Sequence, residues 1–115
     1  MFMDWVVTVP KTILWENYLK ELKTVEDGTQ VLNYRVRFFP KEMKVGDRCF
    51  IVHDGSVRGW MSIVGLRHLE KPWQCTTTKI MCPSGNYIQR SGKFNEVRNR
   101  LMVGFRGLRK YHENS

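Results

Sequence analysis

The sequence predicts an α+β, mainly β protein: a small, partly open β-barrel carrying one or two short helices. Three observations lead there. Short segments rich in β-branched and aromatic residues recur along the chain, as in Trp5-Val6-Val7-Thr8-Val9 and Cys49-Phe50-Ile51-Val52. Glycines interrupt one such segment where a small barrel must bend, at Gly59 and Gly65. A single early segment repeats its apolar residues with helical spacing.

Taken in order, Phe2 to Val9 reads as the first strand and stops at Pro10. Thr12 is placed to cap a helix from Ile13 to about Lys23, because Leu14, Tyr18 and Leu22 recur every fourth residue and Trp15 and Leu19 widen that stripe. Glu16 and Lys20 form an i,i+4 pair on another face. Thr24 to Thr29 is a turn-rich loop pivoting at Gly28. Val31 to Phe39 fits either a strand or a short helical turn, and Pro40 ends it. Arg48 to His53 and Val57 to Leu66 form a hairpin across Asp54-Gly55, a dipeptide that accepts the positive φ such turns need. Trp73 to Ile80 is a further β candidate. Pro83 to Asn86 is a turn, and Tyr87 to Arg90 a short strand. Val97 to Val103 and Phe105 to Lys110 are closing strands parted near Gly104. Residues 1–111 form one domain, with a frayed tail at 112–115.

Charge is unevenly placed. Residues 1–57 hold eight Lys or Arg and eight Asp or Glu, whereas residues 58–115 hold eleven and three, so the whole net charge of +8 sits in the second half. Such an excess is the electrostatic footprint of a polyanion partner. The alternative is a basic, well-solvated surface. No apolar run approaches the about 20 residues of a membrane helix, and the first ten residues lack the pattern of a signal peptide. The three cysteines, Cys49, Cys75 and Cys82, make no disulfide framework and no zinc knuckle, and point to a reducing, cytoplasmic setting without a metal.

Asn33-Tyr34, Arg35, Arg37, Met43-Lys44-Val45-Gly46-Asp47 and Val52-His53 follow one another in an order that resembles the PUA-like superfamily, most closely its EVE branch. EVE domains carry Asn-Tyr with basic residues, then Met-Lys-x-Gly-Asp, then a strand ending in Tyr-His-Ser. Here Val52 replaces the Tyr and Asp54 the Ser. The resemblance covers about a third of the chain. It implies a single PUA-like domain that binds RNA or DNA, reading a base that can be a modified one, without a cofactor. The sister ASCH branch supplies an enzyme alternative, an RNA hydrolase or modified-cytidine amidohydrolase, with Lys11 and His53 as the catalytic pair and Glu70 or Glu96 as a partner. The ASCH Lys and Thr stand three apart, whereas the third position after Lys11 is Leu14. A protein-interaction or regulatory module is the third class.

Residue chemistry gives the same partner a route. An Asn amide hydrogen-bonds a base edge and a Tyr stacks on its face, so Asn33 and Tyr34 are expected in a base pocket. His53 and Asp54 are expected at its mouth, and Trp5 and Trp60 as its aromatic walls. Asp54 has an alternative role as a turn cap, and each Trp as core. Arg35, Arg37, Arg58, Tyr87, Arg90, Lys93, Arg98, Arg100, Arg106 and Arg109 are expected to track the phosphate backbone, or else to guard an exposed edge strand. No nucleophile motif, paired carboxylates or P-loop occurs in the sequence.

Overall fold

A computed structural model describes residues 2–75, 79–101 and 108–110, with 98–101 and 108–110 as backbone only. Eight strands and one helix follow in the order β1 (Asp4–Val9), α1 (Trp15–Thr24), β2 (Leu32–Val36), β3 (Arg48–His53), β4 (Ser56–Leu69), β5 (Trp73–Gln74), β6 (Met81–Cys82), β7 (Gly85–Leu101) and β8 (Leu108–Lys110). Six of them form one sheet in the order β2-β7-β4-β3-β1-β8. Only β1 and β3 run parallel; every other pair in this sheet is antiparallel. The sheet curls into a half-open barrel, as expected of a small mainly β chain. The strands β5 and β6 form a separate two-stranded ribbon.

The middle of the sheet is buried on both faces. Along β3, Cys49 and Ile51 point to the face covered by α1, while Phe50 and Val52 join Val6 and Val57 on the other. This explains why the segment reads as a continuous apolar run rather than an alternating one. Tyr18 and Leu22 of α1 are buried in the first cluster, flanked by Trp15 and Leu19. A ten-residue helix is marginal alone, so this packing holds it. Thr12 does not cap it: Ile13 N–H bonds to the Pro10 carbonyl at 3.0 Å, the resulting turn consumes the first expected residues, and Leu14 occupies the cap position.

The hairpin turns at Asp54-Gly55 as expected, with φ of 49° and 76°, the two positive values of a type I′ turn. The register between β4 and β7 shifts at Val57/Gly59 and Ile63/Gly65, so both glycines mark bulges, and again at Trp60/Ser62. A Cβ at Gly59 would collide with the Asn95 carbonyl oxygen and the Phe94 ring. One open reading resolves and two expectations change. Val31 to Phe39 is the strand Leu32–Val36, with no helical turn, because its backbone pairs with β7 from Asn86 to Arg90. The expected short strand at Tyr87 to Arg90 belongs to a 17-residue strand reaching Leu101, which bridges β2 and β4. Trp73 to Ile80 is not one strand: only Trp73 and Gln74 pair, with Cys82 and Met81. Gly104 and the tail at 112–115 lie outside the described residues.

Asp47 locks the start of β3. It is 0% exposed, and its carboxylate accepts hydrogen bonds from Met3 N–H (3.0 Å), Lys44 N–H (2.9 Å) and the Trp5 indole Nε1–H (2.8 Å). Burial alone would raise its pKa, but these donors and the Lys44 charge outweigh burial and hold it below the ordinary value. The segment from Met43 to Asp47 is thus a structural clamp tying the first strand to the third.

Candidate functional site

A cleft of about 740 Å³ opens beside the sheet. One wall is α1, contributing Tyr18 and Glu21; the second is β2, with Asn33, Tyr34 and Arg35; the third is the β5–β6 ribbon, with Trp73, Cys75 and Cys82. Thr8 and Val9 at the end of β1 and Tyr87 and Arg90 of β7 complete it. The ribbon is held in place by the Tyr87 hydroxyl, which donates to the Pro83 carbonyl at 2.6 Å, and by an edge-on contact of Trp73 with the Tyr87 ring, 5.4 Å between centroids. Arg35 Nε donates to the Ser84 carbonyl at 3.3 Å, and Gly85 leaves room for that side chain: a Cβ there would stand 2.9 Å from Arg35 Nε.

Arg90 is the unusual group. It is 2% exposed, its NH1 donates to the Tyr18 hydroxyl at 3.1 Å, and its guanidinium lies 5.7 Å from the centre of the Tyr34 ring. Its Nε is buried without a hydrogen-bond partner, as are Trp73 Nε1 and Thr8 Oγ1. Guanidinium does not give up its proton in proteins, so the cleft wall carries a fixed positive charge. Burial raises the pKa of Glu21 although Arg90 pulls it down, and burial likewise raises that of Tyr34 against the pull of Arg90. At neutral pH Tyr34 is therefore an uncharged phenol, suited to stacking and to one hydrogen bond.

Asn33, Tyr34, Arg35, Tyr87 and Arg90 all line this cleft, the first two where a base pocket is expected. Asn33 Oδ1 accepts a 3.2 Å hydrogen bond from Gln89 Nε2, which fixes its amide. Other expected pocket residues stand elsewhere. Trp5 is 4% exposed and bonded to Asp47, so it is core. Trp60 lies on the opposite face of the sheet, packed on Phe50 with the Arg48 guanidinium 5.4 Å from its ring. Asp54 sits exposed at the hairpin tip. His53 is 7% exposed; its Nε2 donates to the Ile13 carbonyl at 2.7 Å and its ring stacks on Trp15. Lys11 is exposed in the segment after Pro10, whereas His53 is buried beside Trp15.

The expected phosphate track also changes. Arg90 and Tyr87 face the interior because β7 turns that stretch under α1 and the ribbon, so neither lies on an outer surface. Arg58 is half-buried, its guanidinium 5.4 Å from the Trp15 ring. Arg35, Arg37 and Lys93 are exposed. The side chains of Arg98, Arg100 and Arg109, and all of Arg106, lie outside the described residues. Exposed cations do flank the cleft in the chain: Arg35 lines it, Lys11 follows Pro10, and Lys79 precedes Ile80.

Sequence reasoning missed Tyr18, Glu21, Thr8 and the ribbon as cleft walls. Tyr18 reads as part of a core stripe, and the ribbon pairs over two residues on each side, too few for an alternation to show. Among the described residues no three His, Cys, Asp or Glu side chains stand together as a metal site, and no helix is long and apolar enough to cross a membrane. Comparison of the chain with family models, with curated proteins and with solved structures gives no match.

Proposed function

We propose that this chain is a PUA-like nucleic-acid-binding domain that seats one RNA or DNA base, a modified base among them, in the cleft between α1, β2 and the β5–β6 ribbon. The observation that carries this reading is the cleft itself: aromatic walls from Tyr34, Trp73 and Tyr87 surround a few buried polar groups. A base taken out of its stack needs flat apolar walls for its faces and a small number of fixed polar partners for its edge. Asn33 and the Tyr34 hydroxyl supply such partners at the β2 wall. Arg35, Lys11 and Lys79 lie where a phosphate backbone would pass, on a chain of net charge +8. The thiols of Cys75 and Cys82 at the cleft suit a reducing, cytoplasmic setting.

The test is equilibrium binding of labelled single- and double-stranded RNA and DNA at about 50 and about 200 mM salt, with modified-cytosine versions in the panel. Affinity that falls steeply with salt and is reduced by Tyr34→Ala supports the reading. Absence of binding at the lower salt removes it.

A further inference from the structure

Arg90 brings a fixed positive charge into an aromatic cleft with no carboxylate paired to it among the described residues. A buried cation ordinarily has a counter-ion or a full set of acceptors, because removal from water is otherwise uncompensated. Here one nitrogen reaches the Tyr18 hydroxyl, and Cys49, Tyr34 and Glu21 lie close enough to feel the charge, while Nε has no acceptor. Trp73 Nε1, buried in the ribbon wall, also lacks an acceptor. Guanidinium and indole nitrogens are donors only. The polar lining just beneath the cleft surface is therefore rich in donors and positive in sign, and its complement is a group that only accepts.

We infer that the cleft takes a planar ring bearing a carboxylate, the ring stacking beside Tyr34 and the carboxylate turned towards Arg90. This rests on the reading of the cleft as the binding site and narrows the class of ligand. A methylated base adds no acceptor for the unmatched donors, and an amino-bearing edge turns donors against donors. A carboxylate brings only acceptors and a negative charge, which the buried guanidinium attracts across the wall of a low-dielectric cleft. Among the described residues Glu21 is the one carboxylate lining the cleft. It stands half-buried on the helix wall, where burial raises its pKa against the pull of the Arg90 charge without a hydrogen bond between the two, and it competes with an incoming anion.

The ring can arrive in a nucleic acid, as a carboxylated pyrimidine, or as a free aromatic acid. The experiment separates the two. Titrations of the full chain, followed by calorimetry, would use orotate against its carboxamide. In parallel, oligonucleotides would carry one 5-carboxycytosine, its 5-carboxamide counterpart, or 5-methylcytosine. The carboxamide keeps the shape and removes the charge, so this comparison needs no protein variant. The carboxylate is expected to bind at least about tenfold more tightly than the carboxamide in the same setting. Glu21→Gln should raise carboxylate affinity severalfold, and Arg90→Lys should lower it, provided its circular dichroism and melting match the parent.

A preference seen in oligonucleotides supports the inference with a nucleic-acid source. A preference for free orotate with no oligonucleotide bound supports it with a free acid as ligand, and removes the nucleic-acid reading instead. Salt-sensitive oligonucleotide binding with carboxylate and carboxamide equal overturns the inference and leaves that reading standing. No binding of any probe overturns both.

Discussion

The indole of Trp5 and the carboxylate of Asp47 meet in a 2.8 Å hydrogen bond that is buried at both ends. The contact joins residues 42 positions apart and sits where β1 and β3 begin their parallel pairing at Asp4 and Arg48. Two backbone N–H groups, of Met3 and Lys44, share the same carboxylate. Asp47→Ala would leave three buried or half-buried donors without an acceptor, each worth about 1–3 kcal/mol. We expect a loss of about 3–5 kcal/mol in unfolding free energy by urea titration, a large fraction of a small domain's stability. A loss under about 1 kcal/mol would mean that water or a neighbour replaces the carboxylate.

The same carboxylate sets an acid limit. Its folded pKa lies below the ordinary value, so the folded state favours the charged form more than the unfolded chain does. Its stabilisation is fully present above the unfolded pKa of about 3.9 and disappears as pH falls through the lower folded value. Melting curves of the parent and Asp47→Asn between about pH 2 and pH 6 should show a gap that is constant at the upper end and narrows only below about pH 4. A gap that widens on acidification would contradict the assignment.

Gly59 permits the close approach of β4 and β7 at their first bulge. Its backbone lies under the Phe94 ring and beside the Asn95 carbonyl, so even one methyl group has no space. Gly59→Ala should cost about 1–3 kcal/mol through forced displacement of the strand backbone. Gly28→Ala is the control, since nothing lies within 4 Å of a Cβ there and only its φ of +79° resists the change. Thermal denaturation should rank the first change as the more damaging.

What was legible follows the range of the interactions. The hairpin from Arg48 to Leu66 is local: a two-residue turn with two positive φ values, apolar strands on either side, and glycines at two of the three register shifts, where the sheet bends. Asn33 and Tyr34, singled out by resemblance and by side-chain chemistry, line the cleft. The clamp at Asp47 was not, because the sequence shows an Asp after a Gly and cannot show that Trp5 and Met3 come back to it. Arg90 was misplaced for the same reason. A cation between Gln89 and Ser91 reads as a surface residue, and only the folding of α1 across β7 brings the Tyr18 hydroxyl to cover it. The cleft draws on β1, α1, β2, the ribbon and β7, so no local pattern announces it.

Base preference should depend on the cleft aromatics and not on the opposite face. Tyr34→Ala and Trp73→Ala remove stacking surface, which is worth about 1–3 kcal/mol per base, and should reduce discrimination among modified bases. Trp60→Ala removes a ring packed on Phe50 and Arg48 across the sheet. It should cost about 2 kcal/mol of stability while leaving base preference unchanged. Arg35→Ala should weaken all sequences alike and lower the salt slope by about one phosphate contact. Competition binding with matched oligonucleotides distinguishes these outcomes; an altered preference in Trp60→Ala would move the site to the other face.

The cysteines offer a chemical probe of the cleft. Cys75 and Cys82 line it and are partly accessible, whereas Cys49 is sealed in the core with burial raising its pKa. Maleimide should therefore modify Cys75 and Cys82 in the native chain and reach Cys49 only after unfolding, as peptide mass mapping would show. Burial, then the nearby Cys75, raises the pKa of Cys82, so its labelling should lag behind an ordinary exposed thiol and accelerate as pH is raised. A maleimide adduct on Cys75 or Cys82 puts bulk into the cleft that both residues line, so modified protein should lose nucleic-acid binding while keeping its melting temperature. Prior saturation with an oligonucleotide should slow the labelling. If labelled protein binds as the parent does, the base does not enter between β2 and the ribbon, and the cleft is not the site.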